Sequence, residues 1–217
     1  MPTTRHDALL RRGRRTWNLM SGYHGGVGDR IGAPLYDLAI RHLDLRAGEA
    51  VLDIGCGTGS ALGRLREAVG PDGRVVGVDY SPRMLSRAHR RVRDQAWTNV
   101  ELRRADASRE PHGDGEFDAA LALTSISAMP DIAEAVRLAH DALRPGGRLF
   151  VFDMRLVPEG SAWTKATIGL GRLCYRATTG FTGADVLAEL RRTFATIEPV
   201  VPGGDTSPTM TLTLATK

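Results

Sequence analysis

Three glycines at alternate positions, Gly55, Gly57 and Gly59, have the clearest chemical meaning in this chain. They follow residues 51–54, a mainly apolar run that is typical of a buried strand. Glycine lets the backbone turn sharply and lets a ligand lie against bare peptide, where a Cβ atom would block it. The stretch therefore predicts a loop that binds a small-molecule cofactor.

The spacing of the glycines and the acid before them narrow the kind of cofactor. A dinucleotide-binding loop has the form G-x-G-x-x-G, whereas this chain reads G-x-G-x-G. Asp53 lies two residues before the first glycine, where its carboxylate would repel a pyrophosphate and attract an ammonium group. A cofactor that carries an amino acid fits these features better than NAD does.

A second acid, Asp79, lies 20 residues beyond Gly59, at the predicted end of the next strand. In an open α/β sheet, a carboxylate at that place accepts hydrogen bonds from the ribose hydroxyls of a cofactor. The alternative is an ordinary turn aspartate, since acids favour the starts of loops. The position of Asp79 relative to the glycine loop favours the role in binding.

The glycine loop and the run Val-Gly-Val-Asp-Tyr-Ser-Pro-x-Met-Leu at 76–85 resemble those of the class I S-adenosylmethionine (SAM) dependent methyltransferases. The resemblance is close over residues 46–153. Its nearest group is the ubiquinone and menaquinone biosynthesis methyltransferases, whose Tyr-Asp-Leu-Met-Asn segment is similar to Trp-Asn-Leu-Met-Ser at 17–21. The resemblance implies SAM as the cofactor and methyl transfer as the reaction.

The same resemblance assigns cofactor contacts to residues at the ends of four strands. Asp106 accepts a hydrogen bond from the adenine amino group, and the backbone N–H of Ala107 lies on the adenine ring. Leu123 or Thr124 offers main-chain contacts to the methionine half of SAM. The residues predicted to bind SAM are Asp53, Gly55, Cys56, Gly57, Thr58, Gly59, Asp79, Tyr80, Asp106, Ala107, Leu123 and Thr124.

Two residues are candidates for a general base, which is needed only when the acceptor must lose a proton during attack. His24 lies in the glycine-flanked segment 21–26, which predicts a lid, and a histidine that titrates near neutrality suits proton abstraction. The alternative for His24 is an exposed loop histidine. Asp153, at the carboxyl end of the predicted fifth strand, is expected to face the usual ligand crevice.

Strands and helices alternate from residue 34 onward, which predicts an α/β fold with a Rossmann-like, doubly wound sheet of seven mostly parallel strands. Pro34 is expected at the first position of a helix. Residues 161–175 form an apolar insertion that either packs on the sheet or walls an acceptor pocket. The predicted strands are 50–54, 75–79, 99–104, 117–123 and 148–153, followed by an antiparallel pair at 195–201 and 209–216.

The length of 217 residues and the apolar content of 42% predict one domain. We divide it into an N-terminal cap and basic arm at 1–45, a cofactor-binding core at 46–153, and the apolar insertion with a final helix and strand pair at 154–217. The sequence has no apolar run long enough for a membrane span, so we expect a cytoplasmic protein. Two cysteines, Cys56 and Cys174, provide neither a disulfide framework nor a metal-binding spacing.

The net charge of +4 comes from residues 1–15, which hold five arginines and one aspartate. Such an arm can contact nucleic acid or anionic lipid, but we expect a solvated, disordered terminus. After the predicted fourth strand the chain reads Thr-Ser-Ile-Ser at 124–127, without the Asp/Asn-Pro-Pro-Tyr/Phe sequence of amide- and base-methylating enzymes. We therefore expect no nucleic-acid partner.

Together these features predict a SAM-dependent methyltransferase that transfers a methyl group by in-line displacement. The acceptor is a small molecule, with a quinol or phenol, a natural product and a lipid amine all left open. A SAM-binding enzyme with a non-methylating reaction such as a cyclisation is the alternative from another class, and a nucleic-acid methyltransferase is a third. A monomer and a homodimer are both compatible with the sequence.

Overall fold

The protein is built on one seven-stranded sheet, seen in a computed structural model that describes residues 4–22, 27–201 and 207–217. The strands are β1 (Ala50–Ile54), β2 (Arg74–Asp79), β3 (Val100–Arg104), β4 (Phe117–Leu123), β5 (Leu143–Met154), β6 (Thr196–Pro199) and β7 (Met210–Thr216). Their order across the sheet is β3-β2-β1-β4-β5-β7-β6.

Pairing within the sheet is parallel from β3 to β5, whereas β7 pairs antiparallel with both β5 and β6. The predicted fold class is therefore confirmed. The central strands β1 and β4 are buried along nearly their whole length, because helices cover both faces of the sheet. This burial explains why both strands read as apolar runs in the sequence.

Helices flank the sheet and begin at polar caps. Ser81, Asp131, Ser161 and Asp185 each accept a hydrogen bond from the first turn of the helix that follows. The helices are α1 (Arg5–Met20), α2 (Val27–Leu43), α3 (Leu62–Val69), α4 (Pro82–Asp94), α5 (Ile132–Ala142), α6 (Ala162–Thr178) and α7 (Val186–Thr193), with a 3-10 turn at Ile126–Ala128.

The order of the strands reverses at β1, which pairs with β2 on one side and with β4 on the other. The loops that leave β1 and β4 therefore diverge and open a crevice at the carboxyl ends of the strands. This crevice is where the fold positions a ligand.

Three predicted boundaries differ from the structure. The helix expected to begin at Pro34 begins at Val27, and Pro34, which has no N–H to donate, lies inside it. The fifth strand, predicted at 148–153, begins at Leu143 and ends at Met154, and its register with β4 shifts between Phe117 and Ala119. The apolar insertion forms α6 and extends to Thr178.

The expectation of a disordered N-terminal arm at 1–15 is wrong for residues 5–15, which belong to α1. Thr4 and Asp7 form a capping box, in which each residue's backbone N–H donates to the other's side chain, at 3.1 and 3.2 Å. None of the described helices has the length and hydropathy that crossing a membrane requires.

Candidate functional site

A cavity of about 340 Å³ opens at the carboxyl ends of β1, β2, β3 and β4. Its volume lies in the range of small-molecule sites. The structure brings all of the predicted SAM-binding residues except Gly59 to its wall, and their roles in binding stay predictions. They are Asp53, Gly55, Cys56, Gly57, Thr58, Asp79, Tyr80, Asp106, Ala107, Leu123 and Thr124.

The glycine loop is tied to the neighbouring strand through its backbone. The N–H groups of Gly55 and Cys56 both donate to the carbonyl oxygen of Val78, at 2.8 and 3.0 Å. Gly57 has φ +56°, and a Cβ atom added there would meet no described atom nearer than the carbonyl oxygen of Gly55, at 4.0 Å. The bare face of Gly57 is thus open to the cavity, and a ligand can lie against it.

Gly59 does not line the cavity. A Cβ atom there would lie 2.7 Å from Cδ1 of Leu62, the first residue of α3. The glycine is therefore required for the close packing of the loop against that helix, which differs from the ligand contact predicted for it.

Asp53 and Asp79 are two acids at the floor of the cavity with raised pKa values. Burial raises the pKa of Asp53 to about 7, and the charge of Asp79 adds to the effect. Burial raises the pKa of Asp79 to about 6, although its carboxylate accepts hydrogen bonds from the N–H groups of Gly57 and Ser81, at 2.9 and 2.7 Å. Within the described residues, neither acid forms an ion pair, so the cavity favours a ligand that brings positive charge and hydroxyl donors.

Asp106 is held in place from two sides. Its Oδ1 accepts hydrogen bonds from the N–H and hydroxyl groups of Ser108, at 3.1 and 2.8 Å. Its Oδ2 lies 2.6 Å from Nε2 of His6, on α1. The oxygen that the resemblance assigns to an adenine amino group therefore contacts a histidine of the N-terminal helix, which sequence reasoning did not identify.

Tyr80 lies between two arginine side chains. The guanidinium carbons of Arg14 and Arg104 are each 5.8 Å from the centre of its ring. Such contacts hold an aromatic ring in place through its electron-rich face. Tyr80 is thereby fixed beside Asp79 at the cavity wall.

The end of β4 reaches the cavity at Leu123 and Thr124. Thr124 has φ +50°, a left-handed conformation that is uncommon outside glycine, and its N–H donates to the carbonyl oxygen of Phe152 at 2.7 Å. Strained backbone of this kind is often found at binding sites.

The helix α1 covers one side of the cavity. One face of it contributes Leu9, Leu10, Gly13, Arg14 and Trp17 to the lining. Thr4 followed three residues later by Asp7, and then apolar residues at helical spacing, was the sequence signal for this helix. We did not predict the helix, because the five arginines at residues 1–15 favoured a solvated terminus.

The helix α2 adds Tyr36 to the wall, beside Ser60 of the glycine loop. The hydroxyl of Ser60 donates to Asp29, which also accepts a hydrogen bond from Arg91 at 2.5 Å. Burial raises the pKa of Tyr36, so its phenol stays protonated at neutral pH. Tyr36 is therefore a hydrogen-bond donor rather than a base.

Asp153 does not face the cavity, and the expectation that it does is wrong. The residue is 0% exposed, and its carboxylate accepts hydrogen bonds from Ser125 N–H at 3.2 Å and from both the N–H and the hydroxyl of Ser127. Burial raises the pKa of Asp153, against these hydrogen bonds. The acid holds the segment after β4, so it is a positioning residue rather than a base in contact with a ligand.

The Asp153 cluster continues to α6. The hydroxyl of Ser127 lies 2.9 Å from the hydroxyl of Tyr175, whose pKa is raised above its usual range by burial. His24, the other candidate base, lies outside the described residues.

The comparisons with known proteins agree with the geometry of the site. A family model described as a methyltransferase domain matches residues 51–147. The 27-O-demethylrifamycin SV methyltransferase of Amycolatopsis mediterranei is 38% identical over 63% of this chain and 52% of its own length. The demethylmenaquinone methyltransferase of Lactobacillus johnsonii is 30% identical over 52% of this chain and 47% of its own length. The chain thus spans about half the length of these relatives.

A solved structure, that of the [4+2]-cyclase SpnF, superposes with a TM-score of 0.59. It is 26% identical and covers 79% of this chain and 59% of its own. This similarity covers a larger share of the chain than the matched domain at 51–147 does.

Proposed function

We propose that the chain is a class I SAM-dependent methyltransferase and that it transfers a methyl group to a small apolar molecule bound beside SAM in the cavity. The matched methyltransferase domain and the methyltransferase relatives support this assignment. The observation that carries this proposal is the pair of acids, Asp53 and Asp79, that face one cavity beside the open backbone of Gly57. Such a wall accommodates an ammonium group, two ribose hydroxyls and a flat nucleobase.

The residues that would hold SAM follow from their chemistry. Asp53 would pair with the ammonium group, and Asp79 would accept the ribose hydroxyls. Asp106 would accept the adenine amino group in place of His6. The backbone of Gly57 would lie against the ligand, because a side chain there would occupy the cavity.

Bound SAM supplies a methyl group on a sulfonium that is already activated toward nucleophiles. The protein's part is to align the acceptor and to exclude water, which removes much of the entropic barrier. The two N-terminal helices, α1 and α2, cover the cavity for this purpose. Tyr36 can donate a hydrogen bond to an oxygen of the bound molecules.

The acceptor is expected to be largely apolar. Much of the cavity wall consists of apolar side chains, among them Leu9, Leu10, Trp17, Leu35, Met84 and Met129. The relatives are named as methyltransferases of a demethylrifamycin and of a demethylmenaquinone, which are a natural product and a quinone. A hydroxylated aromatic or natural-product molecule therefore fits this chain better than a lipid amine.

The test is methyl transfer with a mass readout. Purified protein is mixed with SAM and a panel of quinols, phenols, natural products and amines, and a gain of one methyl group is expected with equal formation of S-adenosylhomocysteine. Conversion of an acceptor without either change would contradict methyl transfer.

That contradictory outcome would favour a second function, a SAM-binding enzyme with a non-methylating reaction. The similarity to the [4+2]-cyclase SpnF, at 26% identity, supports this alternative. The two functions share the same cofactor contacts, and only the products differ.

We expect SAM binding to tighten as the pH rises. Asp53 and Asp79 must be ionised to bind the ligand, and their pKa values of about 7 and about 6 leave both largely protonated at acidic pH. Between pH 5.5 and 7.5 the affinity should increase by about 100-fold, with release of protons on binding. Isothermal titration calorimetry in buffers of different ionisation enthalpy measures both effects.

Asp53→Asn should remove the larger part of this pH dependence, since only Asp79 then titrates.

The folding stability of the ligand-free protein should depend on pH in the opposite direction to its affinity for SAM. Both pKa values are raised above the usual 3.8, so the folded state binds protons that the unfolded state has lost, and stability should fall between about pH 4 and pH 7. An affinity for SAM that is independent of pH would contradict the assignment of these acids.

A further inference from the structure

The outer face of α6 carries a stripe of exposed apolar side chains. Trp163, Leu170 and Leu173 are 79%, 63% and 65% exposed. With the exposed Ala166 and Ala177 they recur at alternating spacings of three and four residues, which places them along one side of the helix. Most large apolar side chains of the protein are buried, so this stripe marks an interaction surface.

The charge of this helix has one sign. Residues 161–178 contain Lys165, Arg172 and Arg176 and no acid. Lys165 and Arg176 are exposed, whereas Arg172 donates to the carbonyl oxygens of Leu156 and Gly183. The stripe is therefore flanked by exposed cations and faces no anion of its own helix.

The end of α1 extends the same surface. The hydroxyl of Thr16 donates to the carbonyl oxygen of Thr178 at 2.5 Å, which joins the two helices. Leu19, one turn beyond Thr16, is 81% exposed, and Arg15 is exposed next to it. We call α6 and the end of α1, at residues 15–20, the outer surface.

We propose that the outer surface docks onto an anionic lipid bilayer. An amphipathic helix with leucine and tryptophan on one side and basic residues beside them lies in the plane of the membrane, with its apolar side among the acyl chains. Each basic residue near an anionic membrane adds attraction, and lysine and arginine stems can reach the headgroups while their carbon chains stay apolar.

The charges disfavour a second copy of the chain as the occupant. In a symmetric pair, Lys165 and Arg176 of one α6 would face the same cations of the other, without an acid from either helix. A nucleic acid would pair with the cations but would leave the stripe of Trp163, Leu170 and Leu173 in water. A negatively charged bilayer satisfies both features.

The proposal is tested by sedimentation with lipid vesicles. The full chain is mixed with vesicles of phosphatidylcholine alone or with about 30% phosphatidylglycerol, at low and high salt. We expect it to sediment with the anionic vesicles at least ~10-fold more strongly than with the neutral ones, and less at high salt. Equal sedimentation with the two kinds of vesicle, or with neither, would overturn the proposal.

Two variants locate the binding surface. Leu170→Ser with Leu173→Ser keeps the charge and should weaken vesicle binding by ~10-fold or more, because the leucines lose their place in the acyl region. Both side chains are exposed, so circular dichroism and the melting temperature should match the wild type. The control is Val201→Ser, an apolar residue 38% exposed elsewhere, which should bind like the wild type.

The substitutions of the two cations, Lys165 and Arg176, have a matched control on α4. Lys165→Glu with Arg176→Glu should abolish the preference for anionic vesicles, whereas Arg83→Glu with Arg90→Glu, an equal change in charge at exposed sites of α4, should reduce it only slightly. Equal losses in the two variants would mean a general electrostatic attraction and would overturn the proposal. Light scattering could instead show a dimer of the wild type that dissociates in the variant with both leucines replaced. That result would overturn the proposal and identify a second copy of the chain as the occupant of the outer surface.

Discussion

Replacing Gly57 with valine abolishes SAM binding, with a loss of affinity above ~100-fold, while the fold stays intact. The backbone there has φ +56°, where a β-branched residue costs about 1–2 kcal/mol. A Cβ atom meets no described protein atom nearer than 4.0 Å, so the chain can accommodate it, but the valine then occupies the cavity. Isothermal titration calorimetry measures the binding, and far-UV circular dichroism measures the fold.

The matched control is Gly48→Val. Gly48 has φ +86° and nothing within 4 Å of an added Cβ, and it lies in the turn before β1, away from the cavity. It therefore shares the backbone strain without the blocked ligand, and we expect normal SAM binding with a small loss of stability. Affinity for SAM that stays within a few-fold of the wild type in Gly57→Val would contradict the open glycine face.

Asp153→Asn lowers the free energy of unfolding by ~3 kcal/mol, because the new amide group faces backbone and hydroxyl donors that the carboxylate satisfied. Ser125 and Ser127 are buried and lose acceptors inside the protein. For a chain of this length the melting temperature should fall by about 6–12 °C. Differential scanning calorimetry measures the change.

Asp131→Asn is the control for the chemical change itself. Asp131 caps α5 at an exposed position, and asparagine caps helices as well as aspartate does. Its melting temperature should stay within a few degrees of the wild type. An equally small effect at Asp153, together with a collapse of activity at unchanged SAM affinity, would return Asp153 to the list of candidate bases.

The sheet and much of the cavity could be predicted from the sequence because their signals are local. Gly55, Gly57, Asp53 and Asp79 lie within one strand-loop-helix-strand unit, where the end of each parallel strand fixes the place of the next residue. The apolar runs of β1 and β4 identify central strands without knowledge of their neighbours.

The parts that escaped prediction depend on packing between distant segments. Asp153 points away from the cavity because it follows Leu149 and Val151 at the two-residue period of β5, on the face of the sheet that packs against α5 and α7. The sequence shows this period but not which face covers the ligand. Tyr36 reaches the cavity, and His6 reaches Asp106 at the cavity wall, only because α2 and α1 fold over the strand ends, which no local pattern specifies.

The N-terminal helix has a consequence for the order of events in turnover. His6 contacts Asp106 at one end of α1, and near the other end Asn18 accepts a hydrogen bond from Ser81 at 2.7 Å, while Thr16 holds α6. In the proposed complex adenine replaces His6 on Asp106, and α1 still covers one side of the cavity. We therefore expect exchange of spent for fresh cofactor to require displacement of α1, with loss of its contacts to Ser81 and Thr178. For the proposed enzyme, we expect this displacement of α1 to limit the steady-state rate, so that the first turnover is faster than the later ones.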